Sequence, residues 1–232
     1  MRSDDTRQGS DSLQTSSRSR LTRYADRGTG DFDRIAEILD AAKICHVGWI
    51  DEGRPIVLPT AYGRLDDSLI LHGAADGRFM KVLASGAEVC VTVTLVDGLV
   101  LARSAFHSSM NYRSVVIFGR ATAIEDRAEK LRALDVLVEH LAPRRSAEVR
   151  PITEKELAAT TVVLLPLVEA SAKIRTGPPI DATADLELPI WGGVVPLTIE
   201  AGVPIPGEGS EALPLPISVI EATREKTAAT GP

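Results

Sequence analysis

The stretch Leu69-Ile-Leu-His-Gly-Ala-Ala-Asp-Gly-Arg-Phe-Met-Lys-Val-Leu83 carries three local signals in succession. Leu69 to Leu71 is an apolar run, His72 to Gly77 is small and polar, and Phe79, Val82 and Leu83 share one helical face. The segment is expected to run strand, loop, helix, with Asp76 as the N-cap. A helix starting there aims free backbone N–H groups at the loop, and Arg78 and Lys81 project together from its first turns. Cations at that end oppose the helix dipole unless an anion lies between. The stretch reads either as an anion cradle or as two solvated surface charges.

Working outward, Ile44 to Ile50 and Arg54 to Tyr62 form a predicted hairpin turned by Asp51-Glu52-Gly53. Pro59 cannot donate to a ladder, so it marks an edge, a bulge or a ligand contact. Downstream, Ala87 to Val96 alternates as a strand, Asp97-Gly98 is a turn or bulge, and Leu99 to Arg103 extends or returns it. Asn111 to Ile124 is the longest β signal, and Thr160 to Arg175 is one more strand interrupted at Pro166. Helical stripes span Asp31 to Lys43 and Asp126 to Leu141, the second stopped by Pro143. About six strands in meander order, with helices inserted rather than alternating, predict a mainly β, closed antiparallel barrel with flanking helices.

Composition bounds the rest. The 232 residues, 44% hydrophobic, suffice for one substantial domain with extensions. A net charge of −6 opposes nucleic acid or an anionic membrane as partner, while a small phosphorylated ligand remains compatible. Cys45 and Cys90 lie in apolar runs without metal-ligand spacing and read as buried free thiols. With neither a signal-peptide core nor an apolar run of membrane-spanning length, a cytoplasmic location is expected. Residues 1–30 are nearly devoid of large apolar side chains and are expected to be disordered, ahead of a barrel domain over 31–176. Nine of the fourteen prolines follow Gly177, yet Ala182 to Ile199 is too apolar for a free linker. Residues 177–207 are therefore expected to be an arm docked on the barrel, and 208–232 a disordered tail.

Three stretches carry a family resemblance: Arg54-Pro-Ile-Val-Leu-Pro-Thr-Ala-Tyr62, His72-Gly-Ala-Ala-Asp-Gly-Arg-Phe-Met80 and Ser108-Ser-Met-Asn-Tyr-Arg-Ser-Val-Val-Ile-Phe-Gly119. Together they resemble the pyridoxamine 5′-phosphate oxidase-like split-barrel flavoproteins, closest to the branch of nitroimidazole reductase-like and flavin-nucleotide-binding proteins. The resemblance implies a six-stranded antiparallel split barrel and a homodimer with FMN at the subunit interface. It assigns Thr60, Ala61 and Tyr62 to the isoalloxazine and His72, Gly73, Arg78 and Lys81 to the phosphate end, with Pro59, Ala74 and Gly77 as further cofactor contacts. Ser109, Asn111, Tyr112 and Arg113 would approach from the later strand. The branch often has two histidines where this chain reads His107-Ser108, which leaves His107 as the single proton-donor candidate, against a plain surface or interface histidine. Tyr62 and Tyr112 are ring contacts or, alternatively, barrel aromatics with satisfied hydroxyls, and Trp191 is the arm's candidate to cap a partner's pocket.

The implied function is an FMN-dependent oxidoreductase acting on a small organic substrate, the flavin carrying the hydride chemistry. A flavin carrier or sensor without turnover is the alternative from another class. A deazaflavin- or haem-binding member is the third, and haem has the least support, since none of the four histidines sits in a haem motif. FMN is expected over FAD because no Gly-x-Gly-x-x-Gly turn is present for a pyrophosphate.

Overall fold

The computed structural model describes residues 12–13 and 16–224. The strands are β1 (Gly28–Thr29), β2 (Ile44–Asp51), β3 (Arg54–Ala61), β4 (Gly63–Leu65), β5 (Ser68–Ala74), β6 (Glu88–Leu101), β7 (Ser109–Arg120), β8 (Thr122–Ala123), β9 (Thr160–Pro166), β10 (Glu169–Arg175) and β11 (Gly193–Pro196). The helices are α1 (Phe32–Ala41), α2 (Arg78–Ala84), α3 (Arg127–Leu141), α4 (Glu154–Ala158) and α5 (Ile217–Arg224). One sheet runs β1-β10-β7-β6-β2-β3, with β11 also on β6, and the other runs β4-β5-β9-β8. All pairings are antiparallel.

The chain crosses between sheets at three corners: Tyr62 between β3 and β4, Ala121 between β7 and β8, and Leu167 between β9 and β10. All three side chains are buried, because a corner residue points into the space that the two sheets enclose. That space holds the main core, where Val47, Leu69, Leu71, Val91, Val115, Ile117, Val163 and Leu165 meet Ile35, Ile38 and Leu39 of α1. Asp31 caps α1 by accepting from the Arg34 N–H at 2.9 Å, and Asp126 caps α3 by accepting from the Glu129 N–H at 2.8 Å. A second, smaller core lies between α3 and the other face of the small sheet, with Ile70, Ile124, Ala133, Leu137 and Val162.

The antiparallel barrel is as expected, with more strands than six. Thr160–Arg175 is two strands in different sheets, because the chain turns the corner at Leu167, whose buried side chain the sequence pattern does not distinguish from a strand residue. Asp97 forms a bulge and β6 continues through it, so Leu99–Arg103 extends the strand. At Gly98 an added Cβ would stand 3.0 Å from Val194 Cγ1 and 3.1 Å from the Val195 carbonyl, so glycine lets the arm strand β11 lie close against β6.

Both tails require correction. Residues 16–30, expected to be unstructured, lie on the barrel: β1 pairs with β10, and Arg18 bonds Glu169 while ion-pairing with Glu88. These contacts hold the Glu169 carboxyl down to about 2, hydrogen bonds from Arg18 and then Ser16 being the main causes. Polar composition hid this because the docking is largely by charge and ladder pairing, with few apolar side chains such as Leu13 reaching the core. At the other end, Ser218 donates its N–H and hydroxyl to Glu148, and Arg144 reaches Glu221 at 3.2 Å, so 208–224 is not free either. The remaining tail residues, 1–11, 14–15 and 225–232, lie outside the described part.

Candidate functional site

Successive residues of β5 face opposite ways. Leu69 and Leu71 enter the main core, whereas Ile70 and His72 face α3. The space around His72 is a cleft of about 670 Å³, walled by Leu131, Leu134, Leu137, Val138 and Leu141 of α3 and closed by Val149 and Ile152. His72 Nδ1 is buried with no hydrogen-bond partner, and burial holds the imidazole below its usual pKa, hence neutral at pH 7. Arg150 stands at the rim, bonded to Glu156 at 2.9 and 2.5 Å. Glu156 is placed by a capping box with Thr153, which starts α4; the Thr-x-x-Glu spacing was legible in the sequence.

A second cleft, of about 380 Å³, opens where β6 gives way to β7. Phe106, His107, Ser108 and Ser109 line it from the connection, and Arg23, Tyr24, Arg27, Arg175 and Ile180 from the N-terminal segment and the end of β10. Ser104 accepts from the His107 N–H at 3.3 Å, and Ser108 Oγ accepts from the Ala102 N–H at 3.1 Å, so the turn is fixed by its own serines. Asn111 is buried and accepts from Arg175, whose guanidinium also donates to the Gly177 and Pro178 carbonyls at 3.2 Å. Arg113 forms a two-pronged pair with the bulge carboxylate Asp97 at 3.0 and 2.7 Å.

The expected site residues divide. His107 and Ser109 come together in the basic cleft, with Asn111 behind them through Arg175 and Tyr112 beside Arg175 in the ladder. Pro59 pairs with His46 on the edge strand β3, as its missing N–H allows, and Thr60 and Ala61 follow it. Tyr62 is not a ring contact by its side chain: it is fully buried, donates to the Leu39 carbonyl at 2.5 Å and packs on His140. The cradle also changes. α2 is capped by Gly77 without a side-chain bond, not by Asp76, and it spans only Arg78–Ala84. Arg78 ion-pairs with Asp51, the residue that ends β2, and Lys81 is exposed. His72 faces α3, and Gly73 faces Met80, whose Cγ would stand 2.8 Å from an added Cβ. His72 and the cradle therefore lie on opposite faces of β5. Sequence reasoning missed Arg23, Arg27 and Arg175, since nothing local says that a polar tail returns to the barrel.

The sequence profile described as "Pyridoxamine 5'-phosphate oxidase" matches residues 31–174, the span from the α1 cap to the end of β10. The chain belongs to this family. Its split barrel is the family's flavin-binding fold. Members of similar structure include the flavocytochrome Anf3 from Azotobacter vinelandii, 39% identical, with a TM-score of 0.83 over 89% of this chain and 96% of that one. An FAD and haem binding protein from Mycobacterium smegmatis is 38% identical, with a TM-score of 0.82 over 85% and 97%. A putative 5-nitroimidazole antibiotic resistance protein from Bacteroides thetaiotaomicron is 30% identical, with a TM-score of 0.53 over 62% and 84%. The first two extend beyond the matched family span, so the likeness takes in extensions of the barrel. No curated protein matches. Among the described residues of this family member, no helix is long and apolar enough to cross a membrane.

Proposed function

We propose that this chain is a flavin-dependent oxidoreductase of flavocytochrome type, binding a flavin on the barrel and haem in the cleft under α3. The observation that carries the haem assignment is His72: a neutral imidazole with a buried, unpartnered ring nitrogen in an apolar cleft of about 670 Å³. His72 would be the residue to hold haem iron there, and the apolar wall would face the macrocycle. Arg150 at the rim is the cation suited to a propionate, in competition with Glu156. Relatives at 38–39% identity that are named for flavin and haem support the same reading. The objection that no histidine sits in a haem motif loses force, since β5 register and α3 supply the site without one.

When bound, flavin handles hydride or single electrons and haem handles single electrons. The chain's contribution is to hold a half-buried His72 neutral and to keep Thr60 and Ala61 on an edge strand open to a ring. FMN was the expectation from sequence; a relative named for FAD gives FAD equal standing. A homodimer fits the apolar side chains exposed on the β2–β3 edge, Ile50 at 65% and Val57 at 64%, which water leaves costly to expose together. The substrate class proposed is a small organic molecule.

The deciding experiment is a visible spectrum of the purified protein and of His72→Ala. Wild type should show flavin bands and a Soret band, and the variant should retain the flavin while losing the Soret band. A wild-type protein that refuses haem on reconstitution, or a variant that keeps it, would remove haem from the reading. Reduction by a nicotinamide nucleotide in stopped flow separates an enzyme from a carrier, and light scattering separates dimer from monomer.

A further inference from the structure

The basic cleft at the β6–β7 connection brings together three arginines that form no ion pair among the described residues. Twelve arginines elsewhere in the described residues make ion pairs and two, Arg20 and Arg54, make none; Arg23, Arg27 and Arg175 likewise make none. All three line one cleft of about 380 Å³. Arg175 is 6% exposed and anchored on carbonyls and Asn111, so it cannot swing away from its neighbours. Arg23 and Arg27 hold their guanidinium carbons 5.0 and 4.1 Å from the Tyr24 ring centre, so one aromatic side chain ties both to the cleft. Burial first, and then the charge of Arg27, pull Arg175 below its usual pKa. Gathered like charges are unfavourable unless an anion joins them.

The other donors agree. The Ser109 hydroxyl makes no hydrogen bond among the described residues, and His107 adds an imidazole. The nearby carboxylate of Asp181 is already held by Arg103, at 2.8 Å from its N–H and 2.7 Å from its guanidinium, so it leaves the cleft's charge intact. Phe106 stands at the same cleft with 87% of its surface exposed, set edge-on to the His107 ring at 5.1 Å. An aromatic side chain left in water beside a group of guanidinium ions is the pairing that stacks a base and holds its phosphates.

We infer that this cleft binds the adenosine diphosphate moiety of a dinucleotide, with the pyrophosphate among Arg23, Arg27 and Arg175 and the adenine on Phe106. Two sources share that chemistry: FAD as the resident flavin, in which case the inference rests on the flavin reading above, and a nicotinamide dinucleotide donor, in which case it does not. The test is a calorimetric titration of the purified full chain with ADP and with inorganic pyrophosphate, beside mass spectrometry of the released flavin. The donor source predicts that ADP binds the flavin-loaded protein, that Arg23→Ala/Arg27→Ala weakens it at least about tenfold, and that added salt weakens it too. Phe106→Ala, at an exposed side chain whose loss leaves the fold intact, should weaken ADP while leaving pyrophosphate unchanged. The FAD source predicts that ADP gives no heat against protein carrying FAD and that the double variant purifies with little FAD. Equal ADP or FAD binding by wild type and both variants overturns the inference, as does failure of ADP to bind protein that carries FMN or no flavin. A missing Soret band or flavin spectrum would strike the redox reading instead, and the ADP result would stand apart from it.

Discussion

The two clefts of this barrel are built on opposite principles. Under α3, an unpartnered imidazole nitrogen faces a mainly leucine and valine wall with polar side chains such as Asp135, Ser146, Arg150 and Glu156 also in the lining, and the site's character comes from that apolar wall. At the β6–β7 connection, three cations stand around open space, and the character comes from charge left without a counterion. The first depends on packing and should respond to changes in volume. The second depends on electrostatics and should respond to salt, with little effect on the fold. Family membership alone would not separate them, because one takes only His72 from the cradle that the sequence made prominent and the other takes none of it.

The sharpest way to break this contrast is to cut into the apolar wall. Leu137 is 2% exposed and supports both the small core and the cleft, so Leu137→Ala should lower stability by about 2–5 kcal/mol through lost burial and a residual cavity. Chemical denaturation measures it, and a loss under about 1 kcal/mol would mean that α3 is loosely seated.

Within the basic cleft, Arg175 should behave unlike its neighbours. Arg175→Ala strands Asn111 and two carbonyls and should cost about 1–3 kcal/mol, while Arg23→Ala and Arg27→Ala should each stay within about 0.5 kcal/mol. Matching losses at all three would show that the N-terminal segment, not a ligand, is what these residues serve.

Acid probes the enclosed histidines. Burial is the main cause that lowers the pKa of both His72 and His140, so the unfolded chain binds their protons more readily than the folded chain. Stability is then fully present above the unfolded value of about 6.5 and is lost as pH falls from there through the folded values. Thermal melts of the ligand-free protein should decline below about pH 6.5, and His72→Asn should flatten part of that decline. A decline that His72→Asn leaves untouched would assign it to other groups.

The smallest effect is expected at the former cradle. Arg78 is 65% exposed and its pair with Asp51 is at the surface, so Arg78→Ala should change stability by about 0–1 kcal/mol. Because Asp51 already satisfies the guanidinium, loss of flavin affinity should be small, and a loss of tenfold or more would restore the cradle as the phosphate site.

The sequence by itself determined most of the central strands and the helices that Asp31 and Asp126 start, that Pro59 marks an edge, a bulge or a ligand contact, and that Asp97-Gly98 interrupts the β6 pattern. These are local matters: caps, alternation and missing donors act over a few residues. Only the tertiary structure decided that Thr160–Arg175 turns a corner, that Tyr62 fills the core, and that His72 looks at α3 rather than at Arg78. It also decided that Arg23 and Arg27, in a polar segment, come to stand beside Arg175 through two ladder pairs of β1 with β10. Those placements depend on register and on partners more than a hundred residues away, and side-chain direction in a strand reverses with each residue. A cleft is a property of the elements that face each other across it, so its chemistry becomes readable only once they are brought together.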